Sequence, residues 1–146
     1  TLHTNDAPST VSRLMDIGIE PYMLAPSLLV IIAQRLVRKL CPDCKVAYEP
    51  SSVHLKGASI KAELIYKSKG CRKCNNAGYK GRTCIVEVLP MTLEIQDLIN
   101  QRASFQKIRE VARAAGMQTL YESGIKKVES GETSLEEVLS TTLGAE

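Results

Sequence analysis

Four of the five cysteines fall in two C-x2-C pairs, Cys41-Pro42-Asp43-Cys44 and Cys71-Arg72-Lys73-Cys74. Nothing else in the chain restricts its fold as much. A tight turn between the members of a pair points both sulfurs the same way, so two pairs supply the four thiolates of a closed tetrahedral site. Asn75-Asn76-Ala77-Gly78 follows the second pair, small and turn-forming. The 26 residues between the pairs exceed the usual zinc-ribbon spacing and leave room for an inserted hairpin or short helix around Ser59–Tyr66.

Other uses of these cysteines fit less well. Two disulfides need an oxidising compartment, for which no signal is visible. A thioredoxin-like centre needs a single C-x2-C at a helix start, and a catalytic zinc keeps one coordination position open. The expected ligands are therefore Cys41, Cys44, Cys71 and Cys74 on a structural Zn2+. His54 lies between the pairs and reads as a surface residue. Cys84, out of step with both pairs, reads as a small buried side chain.

At 146 residues, 44% hydrophobic and 24% charged, the chain has the make-up of a globular domain that needs no crosslink merely to fold. Its 19 basic and 16 acidic residues give only +3. With no Trp and one Phe, that balance argues against a nucleic-acid partner. The apolar run Met23 to Ala33 is about half the roughly 20 residues of a spanning helix. The opening Thr1-Leu2-His3 has neither an initiating Met nor a secretory leader, and it reads as a cut inside a longer protein.

Along the chain, Asp6 and Pro8 predict a helix start, with Gly18 as its stop. Pro21, with Pro26 just beyond, predicts that Ile19 to Ala25 is irregular or a single turn, with a helix resuming at Ser27. Gln34–Leu40 fits either a helix or a strand. Arg82 to Leu89 reads as a strand that needs a partner, for which Gln34–Leu40 is the best candidate. After Pro90 the spacing predicts four helices that form one compact set. Thr92 and Ser104 cap the first two, a third covers Thr119 to Glu129, and Ser134-Leu135-Glu136-Glu137 opens the fourth as a capping box.

Taken together, several motifs resemble the secretion traffic ATPases, in the type II secretion and type IV pilus assembly branch. They are Thr1-Leu2-His3-Thr4-Asn5-Asp6-Ala7-Pro8, Gly18-Ile19-Glu20-Pro21, Ala33 through Cys44, Gly78-Tyr79-Lys80-Gly81-Arg82-Thr83 and Glu87-Val88-Leu89. The resemblance implies an α/β fold: the C-terminal remnant of a RecA-like core with an inserted four-cysteine zinc module, followed by an α-helical subdomain. The implied division is 1–40 core, 41–80 zinc module, 81–90 returning core strand and 91–146 helical subdomain, with Gln34–Leu40 and Arg82–Leu89 paired antiparallel. His3 would end a strand near the ATP γ-phosphate.

It also implies a homohexameric, cytoplasmic ATPase, peripheral to the inner membrane, that uses ATP and Mg2+ and works with membrane platform proteins. No G-x4-G-K-[ST] phosphate loop occurs in the chain, so by itself it is expected to be inactive. A rival reading is a zinc-ribbon nucleic-acid-binding module, because Lys45, Lys67, Lys69, Arg72, Lys73, Lys80 and Arg82 make its edges basic. Without the upstream sheet, Val11, Leu14, Met15, Leu28, Leu29, Ile31 and Ile32 would leave an apolar patch and favour self-association.

Overall fold

The computed structural model describes residues 4–50 and 60–142. His3 and His54 lie outside that range, so the expectations for them are not addressed by it. The fold is mixed α/β. Helix α1 spans Ala7–Asp16, and the Asp6 carboxylate accepts the Ser9 N–H at 2.8 Å, capping it as expected.

Helix α2 covers Pro21–Ser27, where an irregular stretch or a single turn was expected, and ends where a helix was expected to resume. Pro21 stands at the first helical position, where no N–H is needed. Pro26 falls in the last turn, where its missing N–H forfeits one i→i−4 bond, and the helix ends one residue later at Ser27. The apolar, partly β-branched run that follows is extended instead, giving β1 as Val30–Leu40.

Strand β4, Tyr79–Pro90, is β1's partner. Met91 N–H donates to Leu29 O at one end and Cys41 N–H to Gly78 O at the other, both at 3.0 Å. Partner numbers fall as β1 rises, so the pair is antiparallel. Two shorter strands, β2 (Val46–Tyr48) and β3 (Ile65–Lys67), also pair antiparallel, with Ala47 opposite Tyr66. Over Ile60–Leu64 the chain has no helix.

Four helices follow: α3 (Leu93–Asn100), α4 (Phe105–Ala114), α5 (Leu120–Glu129) and α6 (Leu135–Thr142). Thr92 and Ser104 accept the Ile95 and Lys107 N–H groups at 3.3 Å and cap the first two. The helices do not form one set. The chain divides into two compact units, one from residues 1–34 and 86–119, the other from residues 35–85 and 120–146.

In the first unit α1 packs on α4, and α3 packs on both α2 and α4. Its core holds Ala7, Val11, Leu24, Ile31, Leu89, Ile95, Ile99 and Ile108. The expected apolar patch is largely absorbed here. Val11 and Ile31 are buried, and Leu14, Met15 and Leu28 pack against the core; only Leu29 (85% exposed) and Ile32 (58%) remain outside. Buried Glu87 accepts the Ala7 N–H at 2.8 Å, and Arg109 pairs with Asp6.

In the second unit α5 and α6 pack on each other and on β3. Ile65 joins Ile125, Val128, Leu135 and Val138 in its core, with Tyr48, Ile60, Ala62, Tyr121 and Leu139 against them. The capping box at α6 is half made. Ser134 Oγ accepts the Glu137 N–H at 3.2 Å, but the Glu137 carboxylate turns away to Arg38. A charged partner outcompetes the neutral N–H that a box would offer. None of the described helices is long and apolar enough to cross a membrane.

Candidate metal centre

The β1–β4 ribbon brings the two C-x2-C turns together. Cys41 is the first residue after β1, and its hydrogen bond to Gly78 sets the base of the module. The first turn is closed by Cys44 and Lys45 N–H donating to Cys41 O at 3.3 and 3.1 Å. The second is a 3-10 turn over Arg72–Cys74, in which Cys74 and Asn76 N–H donate to Cys71 O at 3.2 and 2.9 Å. Asn75 and Asn76 then adopt left-handed φ of 52° and 62°, which Asn tolerates better than most residues. Gly78 must be glycine: its φ is 76°, and a Cβ there would lie 2.5 Å from Ser68 Cβ.

All four expected sulfurs lie within 4.8 Å of one another. Cys41 and Cys71 Sγ are 4.0 Å apart, Cys44 and Cys74 3.8 Å, and Cys71 and Cys74 3.7 Å. A tetrahedron built on Zn–S bonds of 2.3 Å has edges of about 3.8 Å. The donor set and its spacing thus fit one tetrahedral thiolate-bound ion without rearrangement. A disulfide requires about 2.05 Å, and all five thiols are free.

The surroundings favour thiolate at one sulfur and thiol at another. Burial disfavours charge on Cys74, but N–H groups of Cys71 and Gly78, each 3.2 Å from its Sγ, outweigh it and bring the pKa down to about 7. Cys44 is pushed up to about 11, by desolvation first and then by hydrogen bonds with the neighbouring sulfurs. Lys73 pairs with Asp43 across the two turns and holds that carboxyl below its usual range.

Cys84 is exposed, not buried. On β4 the buried side chains are Ile85, Glu87 and Leu89, so alternation turns Cys84 outward with Arg82. The same alternation was visible in the sequence. The contact among Lys45, Tyr66 and Gly131 escaped sequence reading: Lys45 lies 4.4 Å above the Tyr66 ring and donates to Gly131 O at 2.8 Å. That contact links residues 86 positions apart, and no local pattern announces it. The expected basic rim is present in part, with Lys67, Lys69, Arg72, Lys73, Lys80 and Arg82 exposed.

These features define an α/β protein whose tetracysteine centre is set at the end of an antiparallel ribbon. The chain belongs to the type II/IV secretion system protein family, whose sequence profile matches residues 1–140. It is 44% identical over 145 residues to the type II secretion system protein HxcR of Pseudomonas aeruginosa, covering 99% of this chain and 28% of the relative. Identity to the type IV pilus assembly ATPase PilB of Myxococcus xanthus is 44% over 148 residues, covering 97% of this chain and 26% of the relative. For the type II secretion system ATPase E of Vibrio cholerae it is 45% over 145 residues, covering 97% and 29%. The chain therefore spans between a quarter and a third of the length of these relatives.

Proposed function

We propose that this chain is the C-terminal part of a cytoplasmic ATPase, peripheral to the inner membrane, that powers pseudopilus or type IV pilus assembly. The observation that carries the reading is near-complete coverage of the chain by proteins named as secretion or pilus assembly ATPases. Residues 1–40 with the returning strand 81–90 would be the end of a RecA-like core, and the parent would form a homohexameric ring that acts on membrane platform proteins.

ATP hydrolysis proceeds largely by positioning and electrostatic stabilisation, which need a phosphate cradle and a Mg2+ site. With no phosphate loop in its sequence, this chain is expected to show no turnover alone. In the intact protein His3 would act near the γ-phosphate. The test is steady-state hydrolysis by full-length protein carrying His3→Ala: kcat should fall with nucleotide affinity retained. Unchanged kcat would remove His3 from the site, and turnover by the isolated 146-residue chain would overturn the assignment of the chemistry to other parts of the protein.

Within the chain, Zn2+ is the metal that the four thiolates of Cys41, Cys44, Cys71 and Cys74 suit. Bound there, it would supply a closed structural crosslink with no open position for a substrate. The residues do the rest: two backbone N–H groups donate to the Cys74 sulfur and favour its thiolate, and the Lys73–Asp43 pair ties the turns together. Elemental analysis of protein purified under reducing conditions should give one zinc per chain. Less than about half an equivalent with the thiols intact would refute the assignment.

A further inference from the structure

The module between the two C-x2-C turns has almost no core. Among the described residues from 41 to 80, only Cys41, Ile65, Cys74 and Gly78 are buried. Apart from two ligands and a glycine, that leaves Ile65, and its side chain is covered by α5 and α6. Strands β2 and β3 have three residues each, too short to persist as an isolated pair.

The helices are in the same position. At ten and eight residues, α5 and α6 are below the length at which a helix holds in water. Their apolar faces meet each other and Ile65, with Tyr48, Ile60 and Ala62 behind it. The turn between them is buried at Gly131, Thr133 and Ser134, although connecting segments normally lie on the surface. Its polar groups are matched by residues beside the metal ligands. Leu40 N–H donates to Glu132 O at 2.9 Å, Lys45 Nζ to Gly131 O at 2.8 Å, and Thr133 Oγ1 to Arg38 O at 2.8 Å. A side chain at 131 would meet the module at once, because a Cβ there would lie 2.8 Å from the Tyr66 ring.

We propose that α5 and α6 fold conditionally on the metal centre, so that emptying the four-cysteine site releases this helix pair as a unit while α3 and α4 stay folded. The inference rests on the reading that these cysteines hold a metal ion. Neither half of the second unit has enough buried surface to stand without the other, and the first cysteine turn begins directly after Leu40 and holds Lys45 through its N–H to Cys41 O. The helices of the first unit have their own core, which includes no residue of the module. By linkage, whatever α5 and α6 lose on metal release must reappear as metal affinity.

The test is hydrogen exchange of the 146-residue chain, read peptide by peptide, with one zinc bound and after removal by a chelator under reducing conditions. Amides of residues 120–142 should exchange at least about tenfold faster without zinc, and those of 93–114 should be unchanged. Val138→Ala, distant in sequence from the ligands, should still bind one zinc but at least about fivefold more weakly. Bound zinc whose removal leaves residues 120–142 as protected as before overturns the inference and leaves the metal assignment intact. Equal loss of protection in all four helices also overturns it, since the release would then be global. A chain that takes up no zinc overturns both the inference and the assignment.

Discussion

Glu137 and Arg38 are joined by three hydrogen bonds. The Arg38 backbone N–H donates to Oε1 at 3.0 Å, while Nε and Nη2 reach Oε2 at 3.0 and 2.6 Å. The Glu137 side chain is 9% exposed and the Arg38 side chain 56%. The guanidinium, 4.2 Å above the Tyr79 ring, holds the Glu137 carboxyl below its usual range chiefly through these hydrogen bonds. Because the folded value lies below the unfolded one, the unfolded chain takes up the proton first on acidification. The pair's contribution is complete above the ordinary glutamate value of about 4.3 and is lost as pH falls through the lower folded value. Glu137→Gln should destabilise the second unit by about 2 kcal/mol near neutrality. Denaturation of both proteins at a series of pH values should show that difference shrinking below the ordinary glutamate range. Taking the difference removes the acid sensitivity of the cysteine cluster, which both proteins share.

Gly124 of α5 faces the fully buried Val138 of α6, and a Cβ at 124 would lie 2.5 Å from Cγ1 and 3.1 Å from Cγ2. Alanine gains about 1 kcal/mol of helix propensity over glycine. Overpacking of about 1–3 kcal/mol opposes it, and a buried valine has nowhere to swing. Gly124→Ala should therefore destabilise, against its propensity, by about 1 kcal/mol in urea denaturation. A stabilised protein would show that α5 and α6 can slide apart at no cost.

Buried Glu87 gives the Ala7 N–H its partner at the start of α1. Glu87→Ala should cost about 1–3 kcal/mol, because a donor is left unpaired away from water. Glu87→Gln keeps an acceptor oxygen and should lose less. Equal losses for the two variants would mean that the carboxylate's charge, not its acceptor, holds the helix start.

Of the five thiols, Cys84 alone is exposed. A small alkylating reagent at neutral pH should modify it quickly and leave the other four untouched while metal is bound. Chelation with denaturation should raise the count to five by mass. More than one rapid modification in the metal-bound protein would contradict a closed four-sulfur centre.

Much of this fold was legible because local chemistry decided it. Asp6, Thr92 and Ser104 each announce a helix by the bond that they go on to make. The convergence of the four sulfurs follows from spacing alone, since a C-x2-C turn dictates where its sulfurs point. At Pro21–Ser27 the reading went astray by counting prolines without regard to position: one at the first helical residue starts a helix instead of preventing it. The half-made box at Ser134 and the division of the helices between two units were out of reach. Arg38 takes Glu137 from across 99 residues, and Ile65 lies 60 positions before its neighbour Ile125. Sequence periodicity says that a face is apolar and is silent about which other face will meet it.

The hydrogen bond between Cys41 N–H and Gly78 O spans 3.0 Å, although 36 residues lie between the two positions. Everything from Pro42 to Ala77 thus leaves and returns through a doorway one residue pair wide. Lengthening such an excursion is thermodynamically cheap, since doubling a loop adds only about 0.6 kcal/mol of closure entropy. The ribbon below the doorway need not register what is hung from it. A spectroscopic label or an epitope could be attached at exposed Glu49, just past the end of β2, without asking β1 and β4 to move, which makes that position a natural mooring for engineering the chain.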